Sequence, residues 1–194
     1  MHLSQTITDL LLDMQNQAYI TQDLGHWERA RSLHPDSARL LNMVARAMGA
    51  RYILEIGTSV GYSTVFLALA AQATGGHVTT LELMPAKFET ARANLAQGGL
   101  SSFVTQHLGD ALELLPTLPG PWDLVFVDAE RELYESVWLL VKDNVRPGGL
   151  VVSDNVVSHA FDLAHYLETV RADDNFDTVT VPIGRGLEFS SHRL

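Results

Sequence analysis

Tyr52-Ile53-Leu54-Glu55-Ile56-Gly57-Thr58-Ser59-Val60-Gly61-Tyr62-Ser63 is the stretch on which the fold turns. An unbroken apolar run, predicted as a strand over Arg51 to Glu55, passes through two glycines into a helical run from Gly61 to Ala73. Unalternating apolar strands belong to parallel sheets covered on both faces. Gly57 permits a sharp turn there, and Gly61 permits close approach to a ligand. Ser63 is expected in the first helical turn, where unpaired backbone N–H groups favour a carboxylate or phosphate. The spacing is E-x-G-x-x-x-G, not the G-x-G-x-x-G of dinucleotide binders. Two glycines in a plain structural turn are the other reading.

The same alternation continues outward. Strands are predicted at His77 to Glu82, Ser102 to Leu108, Trp122 to Val127 and Leu150 to Ser153, with Pro147-Gly148-Gly149 as the turn before the last. Helices are expected from Pro85 to Gly98-Gly99, briefly after Asp110, from Glu132 to Asn144 on a face of Tyr134, Val137, Trp138 and Val141, and near Phe161 to Arg171. Phe176 to Val181 and Leu187 to Ser191 flank a short connection, Pro182 to Gly186, which predicts a hairpin and hence an antiparallel last strand. Ahead of the sheet, Ile7, Leu10, Leu11 and Met14 keep helical spacing. Leu40, Leu41, Val44 and Met48 repeat it after Pro35 and an Asp36 cap. The expectation is one α/β domain over 1–194, with a helical cap region at 1–50 and a cofactor-binding core at 51–194.

With 194 residues the chain is long enough for a sizeable core. It has no cysteine, which removes disulfides, thiolate metal sites and a cysteine nucleophile. A net charge of -10 argues against a nucleic-acid partner. No apolar run approaches the roughly 18 residues of a membrane span. Met1 to Gln5 lacks a signal-peptide pattern, so a cytoplasmic location without membrane attachment is expected.

Four apolar runs end in acids: Glu55, Glu82, Asp128 and Asp154, the last followed by Asn155. In an open parallel sheet, ligands bind beyond the carboxyl ends of the strands. Glu82 is placed to accept hydrogen bonds from a ribose diol, with Leu83 beside it. Gly109-Asp110-Ala111 offers a third contact, although Asp110 serves equally as the N-cap of the next helix. If strands four and five are neighbours, Asp128, Asp154 and Asn155 bring together hard oxygen donors that suit Mg²⁺, with Ca²⁺ or Mn²⁺ as other fits. A capping Asp128 and an Asp-Asn turn without metal is the plainer alternative.

The E-x-G-x-x-x-G-x-S loop, the acid ending strand two and the Gly-Asp-Ala turn resemble S-adenosylmethionine-dependent methyltransferases, more narrowly the catechol and caffeoyl-CoA type O-methyltransferases. The likeness runs from about Leu33 to the C-terminus, through Val127-Asp128-Ala129, Arg146-Pro147-Gly148-Gly149, Asp154-Asn155 and the run from Pro182 to Leu187. It implies a Rossmann-like, seven-stranded, mostly parallel sheet with an antiparallel last strand and helices on both faces. The implied S-adenosylmethionine site comprises Glu55, Gly57, Thr58, Ser59, Gly61, Tyr62 and Ser63, then Glu82, Leu83, Gly109, Asp110, Ala111 and Asp128. Gly57 and Ser63 would serve the methionine end, Glu82 the ribose, and Asp110 and Ala111 the adenine. Asp128, Asp154 and Asn155 would bind the cation, the acceptor would be a small aromatic vicinal diol, and the assembly a homodimer. An enzyme of class EC 2.1.1.- follows from the resemblance.

Two departures stand out. Where the family commonly has a lysine base, three residues after the first metal aspartate, this chain has Arg131, which stays protonated. Arg131 and Asp128 are the predicted catalytic residues, Arg131 favouring the phenolate electrostatically. His159 as base, or a cofactor-binding protein with weak or no turnover, are the alternatives. The segment after Asn155 is also short. Trp27 and His34 are candidates for covering the site, and Tyr134 matches a frequent family tyrosine. A metal-independent methyltransferase, with Asp128 on the cofactor's amine, and a nicotinamide oxidoreductase complete the competing functions. The glycine spacing and the final hairpin disfavour the last.

Overall fold

Seven strands form one sheet: β1 (Tyr52–Ile56), β2 (His77–Glu82), β3 (Val104–Leu108), β4 (Trp122–Val127), β5 (Val145–Ser153), β6 (Phe176–Val181) and β7 (Leu187–His192). Their order is β3-β2-β1-β4-β5-β7-β6. The first five run parallel, while β7 is antiparallel to both β5 and β6, as the short Pro182 to Gly186 connection predicts. The computed structural model describes residues 3–25 and 28–194.

Alternate strand residues divide between two apolar layers. Ile53, Val78, Leu124, Phe126 and Val152 face α1 (Gln5–Ile20), α2 (Pro35–Ala47), α3 (Tyr62–Thr74) and α4 (Pro85–Gln97). Leu54, Ile56, Leu81, Val125, Val127 and Val151 face α6 (Tyr134–Val141) and α7 (Ala164–Arg171), with the one-turn α5 (Ala111–Leu114) beside them. Every residue of β4 is buried, as its unalternating sequence requires of the central strand. Ile7, Leu10, Leu11 and Met14 are the buried face of α1, and Tyr134, Val137, Trp138 and Val141 that of α6, both as read from the spacing.

Several boundaries differ. The helix α2 starts at Pro35 and is capped by His34, whose Nδ1 accepts the Asp36 N–H at 3.2 Å, so Asp36 is not the cap. Its buried residues are Ser37, Ala38, Leu41, Asn42 and Ala45; Leu40, Val44 and Met48 are only partly covered. The strand β5 begins at Val145, and Pro147-Gly148-Gly149 lies within it where its register against β4 slips. A side chain at Gly149 would meet Val145 at 2.7 Å, so the glycine serves a bulge instead of the expected turn. A 3₁₀ turn at Ser101–Phe103 delays β3 to Val104. Similar turns at Arg131–Leu133 and Lys142–Asn144 trim α6, and turns after Asn155 delay α7 to Ala164.

Candidate active site

Between β1 and β4 the chain order reverses, and ligand crevices form at such a point beyond the carboxyl strand ends. Two backbones meet there. Asp128 donates its N–H to Ile56 O at 2.9 Å, and Gly57, at φ 99°, lies so close that any side chain on it would collide with the Asp128 carbonyl. The Gly57 and Thr58 N–H groups both donate to Leu81 O at 3.1 Å, which ties the loop to the end of β2. Ser59 follows at φ 48°, an unusual value for a residue with a side chain, and its N–H donates to Glu82 Oε2 at 2.7 Å.

This loop floors a cavity of about 520 Å³ lined by Gly57, Ser59, Glu82, Leu83, Gly109, Asp110, Ala111 and Asp128, and closed by the segment 129–133. Glu82 is nearly buried; its Oε1 accepts the Met84 N–H at 2.8 Å. A carboxylate oxygen can accept two hydrogen bonds, so each still has capacity for a diol hydroxyl. Asp110 is both things its sequence allowed: its carboxylate caps α5 by accepting the Leu112 N–H at 2.8 Å, and it lines the cavity. Ser59 Oγ is buried without a hydrogen-bond partner on the same wall.

Five residues of the implied cofactor site do not line this cavity: Glu55, Thr58, Gly61, Tyr62 and Ser63. Glu55 points from β1 toward α3, fully buried, and accepts the hydroxyls of Ser63, Thr64 and Thr80, each at 2.6 Å. Burial pushes its carboxyl up to about 7 against those three bonds. Since Thr80 donates to Glu55, the buried Thr58 hydroxyl donates to Thr80 in turn. The Tyr62 hydroxyl accepts Gln15 Nε2 at 2.7 Å on the α1 side. Gly61 makes a close approach to Ala91 of α4, 3.3 Å from where a Cβ would stand. These residues hold the loop; they do not face the crevice.

A second cavity, about 400 Å³, adjoins the first across Arg31, Asp128, Ala129, Glu130 and Arg131. At its edge stand Asp128, Asp154 and Asn155. The N–H of Asp154 donates to Val127 O at 3.0 Å, so the tips of β4 and β5 are neighbours, as expected. Asn155, at φ 69°, turns its amide back to donate to Asp128 Oδ1 at 2.8 Å. Asp154 Oδ1 is buried with no hydrogen-bond partner. Burial and the neighbouring Asp128 push the Asp154 carboxyl up to about 7, and burial raises Asp128 also, opposed by the Asn155 amide. Two crowded carboxylates with an orphaned oxygen, beside an amide, form a donor set that fits a hard divalent cation. Among the described residues no cluster of three or more carboxylates and imidazoles gathers for a metal, and this corner offers two carboxylates and an amide.

Arg131 lines both cavities and pairs with Asp162 at 3.2 Å. His159 lines the second cavity with Nδ1 2.8 Å from Ser158 Oγ; partial burial and the nearby Arg131 lower its pKa, which favours the neutral ring. The Tyr134 hydroxyl donates to Asp154 O at 3.2 Å from inside the core, so it supports the acidic corner from below. His34 caps α2 and lies on neither cavity; Trp27 lies outside the described residues. The roof comes instead from Ala18, Gln22 and the segment 29–32. Sequence reasoning missed Arg29, Arg31, Ser32, Lys87 and Arg185, all on the two linings. Only Arg185, set between two glycines at the hairpin tip, carried any signal.

Comparison with known proteins agrees with this geometry. Residues 54–156 match the family described as a methyltransferase domain. A catechol O-methyltransferase of Niastella koreensis is 36% identical over 132 residues, covering 66% of this chain and 59% of that protein. One from Mycobacterium tuberculosis is 42% identical over 120 residues, covering 61% and 54%. The chain thus spans little more than half the length of these curated relatives. Among solved structures, the O-methyltransferase TomG of Streptomyces achromogenes in complex with S-adenosylmethionine superposes with TM-score 0.84 at 28% identity, covering 100% of this chain and 92% of that one. The cofactor-bound Rv0187 structure from M. tuberculosis gives TM-score 0.83 at 29% identity, covering 98% and 90%. With the match running from β1 to the tip of β5 and a seven-stranded, mostly parallel sheet whose last strand is antiparallel, the chain belongs to the methyltransferase-domain family and has the fold of class I S-adenosylmethionine-dependent O-methyltransferases.

Proposed function

We propose that the protein transfers the methyl group of S-adenosylmethionine to one hydroxyl of a small aromatic vicinal diol, with a divalent cation held by Asp128, Asp154 and Asn155. The observation that carries this reading is the meeting of two cavities at Asp128, one fitted for a nucleoside and one edged by oxygen donors. The names of the relatives, catechol and caffeoyl-CoA O-methyltransferases, support the choice of acceptor.

Glu82 receives the ribose hydroxyls, and Asp110 and Ala111 border the adenine. Gly57 leaves room for the methionine end, since any side chain there would occupy the junction. A bound divalent ion supplies Lewis acidity that makes a chelated phenol more acidic. The chain's own groups do the rest. The roof and the 129–133 segment border the cavities and would orient an acceptor oxygen toward the donated methyl group. As the new C–O bond forms, the C–S bond breaks and its electron pair stays on sulfur. The phenolic proton passes to Nε2 of His159, whose Nδ1 faces Ser158. Arg131, fixed by Asp162, stabilises the developing phenolate and takes no proton.

The test is product analysis with S-adenosylmethionine and catechol, with and without a chelator. Mono-O-methylation that disappears with the chelator and returns with Mg²⁺ is the expected result. Full activity under chelation would remove the cation from the reaction and leave methyl transfer standing. No product from any diol would leave a cofactor-binding protein.

A further inference from the structure

The acceptor cavity concentrates arginines in an acidic protein, four of them beside Asp128, Glu130 and Asp154 on the same lining. The chain carries 13 lysines and arginines against 23 acids, yet Arg29, Arg31, Arg131 and Arg185 all line this one cavity. Arg31 pairs with Glu130 at 3.3 Å and Arg131 with Asp162 at 3.2 Å. Neither Arg29 nor Arg185 has an ion pair among the described residues.

Two further groups on the lining lack partners. Arg29 Nε and Ser32 Oγ are both buried without a hydrogen bond. Buried donors are rarely left unmet, because stripping them of water costs more than the bond returns. They lie a few residues apart on the segment that roofs the cavity. Arg185 reaches the same cavity from the other end of the chain. Its carbonyl accepts the N–H groups of Val157 and Ser158, at 3.1 and 2.9 Å, which fastens the β6–β7 hairpin tip to the loop after Asn155. The side chain on that tip acts electrostatically on both Asp128 and Asp154, so it stands near the reacting end.

With Asp128 and Asp154 engaged by a cation, Arg185 joins the unpaired Arg29 and a hydroxyl without a partner as an anion receptor, and a guanidinium matches a carboxylate in shape and charge. Resting on the methyl-transfer reading above, we propose that the acceptor is an acid: a small aromatic vicinal diol bearing a carboxylate, which Arg29, Ser32 and Arg185 receive. At about 400 Å³ the cavity sits near the small end of ligand pockets, which fits one ring with a short acidic arm.

The test compares 3,4-dihydroxybenzoate, catechol and dopamine, whose side groups are anionic, absent and cationic. With wild-type protein and S-adenosylmethionine, kcat/KM for the acid should exceed that for catechol by about tenfold or more, with dopamine the poorest. In Arg29→Gln and Arg185→Gln the acid-to-catechol ratio should fall by about tenfold, chiefly through KM for the acid. Arg185→Glu should shift the preference toward dopamine. Equal kcat/KM for acid and catechol in the wild type overturns the proposal, and methyl transfer survives that result. A coenzyme A thioester of the ring used in preference to the free acid also overturns it, since the arginines then serve phosphates. If no diol is methylated, calorimetry with S-adenosylhomocysteine present decides: tighter binding of the acid than of catechol, lost in Arg185→Gln, upholds the anion receptor while methyl transfer falls. Absence of acid binding even in the millimolar range overturns it.

Discussion

Asp154 stands between stability and chemistry. Its buried carboxyl, raised to about 7 with one oxygen unpartnered, is a burden to the ligand-free protein whenever it is ionised. Asp154→Asn should therefore raise the melting temperature at pH 8, by an amount of order 5 °C for a chain of this size, while abolishing cation-dependent turnover. Calorimetric scans with and without Mg²⁺ check both halves: the wild type should gain stability on adding the ion and the variant should not. His159 is tested differently. Its lowered pKa keeps the ring neutral near pH 7, so His159→Ala should reduce kcat about a hundredfold and leave a rate that climbs with pH. A flat pH profile and near-normal kcat would return the proton to solvent. Arg131→Lys should hold kcat within about tenfold of wild type if the arginine already serves as the phenolate's counter-charge. A large gain would show that the arginine disables the site.

Among the elements, the Gly57 turn has the least tolerance. With φ at 99° and the Asp128 carbonyl against its open face, Gly57→Ala should cost roughly 3 kcal/mol and weaken S-adenosylhomocysteine binding; denaturation and titration of the same variant would show whether the two losses travel together. Much at this scale was legible beforehand. The strands β2 and β4 fall where their apolar runs end in turn residues, and the acids at their tips line the crevice. Glu55 looked the same in sequence and is not. Its role depends on which side of β1 it faces and on three hydroxyls from α3 and β2, which spacing alone does not place. The Pro147-Gly148-Gly149 run misled for a related reason: a bulge and a turn ask for the same residues. Arg29 was unreadable, and Arg185 only a residue between two glycines, because the folded sheet, with the hairpin bonded to the loop after Asn155, is what brings distant parts of the chain to one cavity.

For the whole molecule, two buried acids set the pH response. Asp154 and Glu55 both hold protons to about 7, whereas in the unfolded chain they release them near 3.8 and 4.5. The folded state therefore binds more protons across that interval, and this contribution to stability is lost as the pH rises from about 4 to about 7. Denaturant titrations of the ligand-free protein across that range should show midpoints falling with pH, a trend that Asp154→Asn and Glu55→Gln should each flatten. Saturating S-adenosylhomocysteine, at about 100 times its dissociation constant, should add roughly 2.7 kcal/mol.

The touching backbones at Gly57 and Asp128 make the two halves of the crevice mechanically dependent. A displacement of either tip by its own guest would press on the other, and the expected outcome is that occupancy on one side changes affinity on its neighbour. Thermodynamic reciprocity then requires that the nucleoside tighten or loosen the phenol by the same factor as the phenol does the nucleoside. Paired titrations in both orders of addition would read that factor, and a value of one would show that the seam transmits nothing.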